Sequence, residues 1–177
     1  MKRFVLFLAV MLCVLPASSV RGFQDTSDTQ IYLRGGNASN PDVAITEANF
    51  PDDTFREYVR NNFDTDENGA LSAEEIANVT TVDVRGDWQE KGNIASLKGI
   101  EHFTALTLLY CNHNQITALD VSKNTALTWL SCYNNQLTEL DISKNTVLTT
   151  LLCGNDQLTA LDVSKNTALT RLWCSNN

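Results

Sequence analysis

Residues 106–177 are one 21-residue unit written three times and begun a fourth: LTLLYCNHNQITALDVSKNTA (106–126), LTWLSCYNNQLTELDISKNTV (127–147), LTTLLCGNDQLTALDVSKNTA (148–168) and LTRLWCSNN (169–177). The shared pattern is LTxLxCxxNQLTxLDVSKNTA. The apolar set of the first unit is Leu106, Leu109, Cys111, Ile116, Leu119 and Val121, and the second repeats it at Leu127, Leu130, Cys132, Leu137, Leu140 and Ile142. Such a unit cannot bury its own apolar side. Consecutive units must therefore stack into a continuous core, each coil touching only its neighbours.

A period of about 20 to 29 residues with this spacing of Leu and Asn predicts a leucine-rich repeat solenoid. Alternation of apolar residues in LTxLxC predicts a short strand, and stacked coils make these strands a parallel sheet spaced by about 4.8 Å. The expected fold is thus an α/β solenoid, with short parallel strands on a concave face and a helical EF-hand-like cap at the N-terminus. The ninth position (Asn114, Asn135, Asp156, Asn177) falls where the chain turns out of the strand. An Asn side chain there can bond the turn backbone; Asp156 keeps the acceptor and loses the donor.

Cys111, Cys132, Cys153 and Cys174 share the repeat phase. Four cysteines in an exported chain suggest a disulfide framework, but these occupy an inward apolar position, where a free Cys acts as a small hydrophobe. Their Cβ atoms would also stand one strand spacing apart, wider than the ~3.8 Å of a relaxed disulfide. A buried ladder of free thiols is the preferred reading; disulfides and a metal site are the alternatives, and no C-x-x-C pair supports the metal.

These residues resemble the internalin family of bacterial surface proteins, most closely the type whose 21-residue repeats carry Cys at this inward position. The resemblance covers roughly residues 45 to 177. It implies a secreted or surface-displayed adhesion module, which periodicity alone could not show.

Residues 1–22 read as a cleaved signal peptide: Lys2 and Arg3, an apolar run from Phe4 to Leu15, then Pro16 and small residues. The apolar run is short for a membrane-spanning helix, and Leu12 before Cys13 argues against a lipoprotein. Removing Lys2, Arg3 and Arg21 with the leader takes the formal charge from −8 to −11. Nucleic acid and anionic membrane are poor partners for such a chain. Residues 23–44 are polar and read as a flexible lead-in, with Ile31 to Leu33 able to add an edge strand.

From Ile45 to Asn78 the pattern is helical and predicts an EF-hand-like cap. Pro51 suits a first helical position, Asp52 and Asp53 favour the helix N-terminus, and Phe55, Tyr58, Val59 and Phe63 form an apolar stripe that should face the first coil. The loop that follows, DTDENGALSAEE (64–75), matches the calcium pattern D-x-[DN]-x-[DN]-G-x5-E at every position. Asp64, Asp66 and Asn68 would supply side-chain oxygens, Ala70 its carbonyl, Ser72 an oxygen directly or through water, and Glu75 both carboxylate oxygens. Gly69 permits the sharp turn, and Ser72 with Glu75 has capping-box spacing. The bland alternative is a calcium-free helical cap of the kind some internalins carry. The calcium reading is preferred, as a structural site with a dissociation constant on the order of 0.1–1 mM.

Residues 79–105 read as a degenerate first coil, with Val79, Val82 and Val84 in place of Leu, Leu and Cys. The six residues beyond the period should bulge at Arg85 to Gly92, where Trp88 is the notable side chain. Arg85-Gly86-Asp87 is the tripeptide integrins read, but three-residue matches are common by chance. In the regular repeats (106–126, 127–147, 148–168, incomplete 169–177) the third, fifth and seventh positions vary while their neighbours do not. Leu108, Tyr110, Trp129, Tyr133, Leu152 and Trp173 are expected to form an apolar and aromatic patch on the sheet face, a composition that marks protein interfaces or sugar platforms. The alternative is that they cover one another.

His102 and His113 lack partners at nucleophile spacing. Neither a phosphate-cradling glycine motif nor a zinc pattern is present. The expected function is a secreted or surface-displayed, non-catalytic adhesion module that binds protein or glycan and holds calcium in its cap. The alternatives are the targeting portion of a secreted enzyme whose catalytic domain lies past Asn177, where the repeat breaks off unfinished, or a calcium-gated binding module.

Overall fold

The computed structural model describes residues 42–87 and 92–177. The expected signal peptide, most of the expected lead-in and Trp88 lie outside these residues. The elements run β1 (Val43–Ala44), α1 (Asp53–Phe63), β2 (Ala70–Leu71), α2 (Ala73–Asn78), β3 (Thr81–Asp83), a 3-10 turn (Ile100–His102), β4 (Leu108–Tyr110), β5 (Trp129–Ser131), β6 (Thr150–Leu152) and β7 (Arg171–Trp173).

Strands β3 to β7 form a parallel sheet in sequence order, one strand per coil. Leu109, Leu130, Leu151 and Leu172 stand in register, and Val82 of the first coil pairs with Leu109. Each inward position of the first two regular units is buried, and Cys111, Cys132 and Cys153 form the interior ladder as free thiols. Burial drives those three thiols upward, well clear of neutral titration. Cys174 is free but exposed, and Leu172 is 43% exposed, because β7 has a neighbour on one side only.

Among the described residues helix is confined to α1, α2 and a single 3-10 turn; the return segments of the regular coils are turns. A 21-residue coil spends its length on one strand and tight corners. Ser122, Ser143 and Ser164 donate backbone N–H to the carboxylates of Asp120, Asp141 and Asp162, closing the side-chain turns that Asp favours. These bonds hold all three carboxyls below their usual range. The eighth position adopts a left-handed backbone at His113, Asn134, Asn155 and Asn176, with φ from 54° to 61°. Asn tolerates this conformation better than most residues.

Side-chain amides stitch the coils together. Nδ2 of Asn145 donates to the carbonyls of Val121 and Asn124, and Nδ2 of Asn166 to those of Ile142 and Asn145. Thr107, Thr128, Thr149 and Thr170 each donate a hydroxyl to a threonine carbonyl one coil earlier.

At the N-terminal end, α1 buries Phe55 and Val59. Phe50 stacks with Phe103 at 6.4 Å, and Phe63 meets Phe103 edge-on at 5.2 Å. Gly99 has φ +106°, and a Cβ there would stand 2.2 Å from the Phe50 ring. The helix begins two residues later than Pro51 suggested, at Asp53, for Asp52 is its N-cap and Pro51 precedes it. The Asp52 carboxylate accepts from Phe55 N through one oxygen and from Ala95 N and Ser96 N through the other. Tyr58 Oη accepts from Asp83 N at 3.1 Å, tying α1 to β3. The last residues of the expected lead-in, Val43–Ala44, form a strand that pairs antiparallel with Ala70–Leu71.

One carboxylate thus caps α1 and anchors the first coil together. Asp52→Ala should lower stability by about 1–3 kcal/mol, since it removes a cap and leaves two further amides unpaired. Urea unfolding should show the midpoint falling at an unchanged slope; a midpoint equal to wild type would contradict this linkage.

Candidate functional site

The acidic loop and the outward face of the sheet are the places where chemistry-bearing side chains converge. In the loop, α1 ends at Phe63 and delivers Asp64, which is 7% exposed. Its two oxygens accept from Asn68 N at 3.0 Å and Gly69 N at 2.9 Å. Asp66 Oδ2 accepts from Asn68 Nδ2, and Asn68 Oδ1 accepts from Ala70 N. Gly69 has φ +82° and Glu67 φ 55°, so the chain reverses through two left-handed residues. The strand Ala70–Leu71 then leads to Ser72, N-cap of α2.

Glu75 faces back across the loop. Its Oε1 accepts from Thr65 N and Thr65 Oγ1, both at 2.7 Å, and its Oε2 from Ser72 N and Ser72 Oγ, both at 2.8 Å. The Ser72 N–H is the largest influence, followed by the Thr65 hydroxyl, and together they lower the Glu75 carboxyl to about 2. One ligand atom from each of Asp64, Asp66 and Glu75 lies within 4.8 Å of the others. Sequence spacing alone did not show that both Glu75 oxygens already serve the helix cap and the loop entry.

On the sheet, Tyr110, Trp129, Tyr133 and Leu152 line a groove of about 560 Å³ that ends at Arg85, Gly86 and Asp87. The patch is less open than its residue types suggested. All six expected residues are half-buried, because they lean on one another: Tyr110 and Trp129 lie 6.1 Å apart, and Tyr133 meets Trp173 edge-on at 5.1 Å. Leu108 stands beside Trp129 in register but does not line the groove. Of the other residues at the varying positions, Asn112, Ser131 and Thr150 are buried, and Ser131 Oγ donates to Asn112 Oδ1 at 3.0 Å on the groove floor.

The arginines were missed by an argument that weighed only apolar positions. Arg85 lies 5.5 Å above the Tyr110 ring and Arg171 5.9 Å above that of Trp129. Arg85 sits one coil and Arg171 two coils from its aromatic ring in the outward register, which is the signal that could have found them. Arg85 also pairs with Asp83 at 2.9 Å, so the Arg-Gly-Asp tripeptide lies along the groove rim. His113 packs edge-on to Tyr133 at 5.0 Å and His102 against Phe50 at 5.8 Å.

Comparison with known proteins fits this geometry. No family model matches the chain. A segment of 75 residues is 43% identical to Internalin J of Listeria monocytogenes serotype 4b (strain F2365), covering 42% of this chain and 8% of that protein. The solved functional domain of InlJ from Listeria monocytogenes, described as including a cysteine ladder, superposes with a TM-score of 0.65 at 40% identity, over 75% of this chain and 28% of that one. The chain is an internalin-like leucine-rich repeat protein. A second internalin, inlF of strain 4b F2365, superposes with a TM-score of 0.57 at 26% identity, over 77% of the internalin-like chain and 46% of inlF. The internalin-like chain therefore spans less than half the length of each of these relatives. Among its described residues no helix is long and apolar enough to cross a membrane.

A depressed folded-state carboxyl stabilises above the unfolded value and loses that contribution as pH falls through the folded one. For Glu75 the window runs from about 4.5 down to about 2. Melting temperature should drop across it, and Glu75→Gln should make the drop shallower. Identical slopes in the two proteins would show that the Thr65 and Ser72 bonds do not carry the acid sensitivity.

Proposed function

We propose that this internalin-like chain is a non-catalytic recognition module, secreted or displayed at a cell surface, that takes a protein partner on the outward face of its sheet. Residues 1–22 are its export signal, 23–44 a lead-in, 45–78 an EF-hand-like cap that holds structural calcium, and 79–177 the repeats. The observation that carries the reading is the groove at Tyr110, Trp129, Tyr133 and Leu152, three consecutive coils presenting apolar faces at positions that the repeat leaves free to vary. Aromatic side chains held by neighbours cost little further ordering when a partner covers them, and such residues dominate interface energetics.

Calcium suits the loop on its donor set. Oxygens of Asp64, Asp66 and Glu75 within 4.8 Å of one another match the separation set by an ion about 2.3–2.6 Å from each ligand. Asn68, Ala70 and Ser72 can raise the oxygen count toward the six to eight that calcium takes. The ion would neutralise the clustered carboxylates and brace the turn. Glu75 would exchange its hydroxyl bonds from Thr65 and Ser72 for the metal.

Titration of calcium into chelator-treated residues 23–177 should show one site. With a dissociation constant of 0.1–1 mM, 2 mM calcium should add about 0.6–1.8 kcal/mol by mass action. Heat and stabilisation should both vanish in Asp66→Ala, and an unshifted melt with no heat would leave the loop as a helical cap alone. For the face, an array of extracellular proteins and glycans is probed with wild type, Trp129→Ala and Tyr133→Ala. A protein partner should weaken at least about tenfold with either substitution. Partners indifferent to both would move recognition elsewhere, and glycan-only binding would replace the protein reading.

A further inference from the structure

The ninth-position column breaks its own rule at one coil. Nδ2 of Asn135 donates to the carbonyls of Cys111 and Cys132, and Nδ2 of Asn177 to those of Cys153 and Cys174. Oδ1 of the same residues accepts a backbone N–H from the preceding coil, from Ile116 and Leu158 respectively. Asp156 occupies the position between them. Its Oδ1 takes the acceptor role, receiving Asn135 N at 3.1 Å and Leu137 N at 3.2 Å. Its Oδ2 is buried where the repeat places an amide donor, and it has no hydrogen-bond partner among the described residues. By the 21-residue repeat, the carbonyls that this donor would serve are those of Cys132 and Cys153. An ionised carboxylate sets an acceptor against acceptors there.

We propose that Asp156 is a proton-operated joint of the solenoid: with a proton on Oδ2 it donates to the Cys132 or Cys153 carbonyl and completes the ladder, and without one it leaves the junction of the second and third regular units loose. The joint links the coils of β5 and β6, the strands that carry Trp129 and Leu152 of the groove. Protonation therefore stiffens the coils that present the groove.

The groups around Asp156 support this. Burial is the largest influence on its carboxyl and pushes it up to about 6, opposed only by the Leu137 and Asn135 N–H bonds. The titratable groups that feel its charge are the Cys111, Cys132 and Cys153 thiols, from its own coil and the two before it, all held neutral by burial. No ion pair reaches it among the described residues.

A raised folded-state carboxyl favours folding fully below the unfolded value, near 3.8, and the benefit is lost as pH rises through about 6. Carbon-13 titration of the Asp156 carboxyl in residues 23–177 should give a midpoint near 6. Thermal melts of wild type and Asp156→Asn, which restores the repeat amide, should show the variant several degrees more stable at pH 7.5. The gap should narrow as pH falls through about 6 and close below about 3.8. A carboxyl midpoint below about 4.5, or a gap that does not change with pH, would overturn the proposal, and the carboxyl titration needs no variant to decide it.

Discussion

Each time the chain leaves a strand, carbonyl groups of successive coils point into an interior from which water is excluded. A buried carbonyl without a donor costs about 1–3 kcal/mol. The ninth-position amide meets this by giving one N–H to its own coil and the other to the coil before, as at Asn135 and Asn177. Asn145 and Asn166, at the far corner of the coil, give both bonds to the coil before. Stacking is thereby set in register by polar groups, while the ladder of Leu and Cys supplies the burial. Because the donors bridge adjacent coils, no coil is satisfied alone, and the solenoid holds only as a stack.

That dependence makes the ends of the stack the difficult places. At the N-terminal end, α1 buries Phe55 and Val59, and Phe50 and Phe63 both pack against Phe103. Asp52 and Tyr58 add hydrogen bonds from the helix to Ala95, Ser96 and Asp83. The acidic loop hangs from this assembly rather than floating free. Its strand is paired by Val43–Ala44, and Leu71 is fully buried. The loop carboxylates are held by backbone N–H groups, so their arrangement is built before any cation is considered.

The repeat also explains how a face free for recognition arises. Inward positions are bound to one side-chain size by the coil above and below, whereas outward positions have only lateral neighbours. Their rings nonetheless lie against each other and under Arg85 and Arg171. The result is a half-buried strip with a polar floor at Asn112 and Ser131, stiffer than a scatter of exposed aromatics.

The solenoid, its strand register and the free thiols at Cys111, Cys132 and Cys153 were legible in the sequence, because a fixed period forces equivalent residues onto equivalent places in space. The loop was legible too as a pattern of oxygen donors, since local spacing governs which side chains converge within twelve residues. Contacts between segments far apart in the chain were not. Asp52 reaching Ala95, Val43–Ala44 pairing the loop strand, and Arg171 covering Trp129 each depend on distances set only after the coils stack. The sequence showed that Asp156 lacks an amide. Only the tertiary structure decided that its second oxygen is buried at a coil junction, since burial belongs to the assembled coils and to no residue by itself.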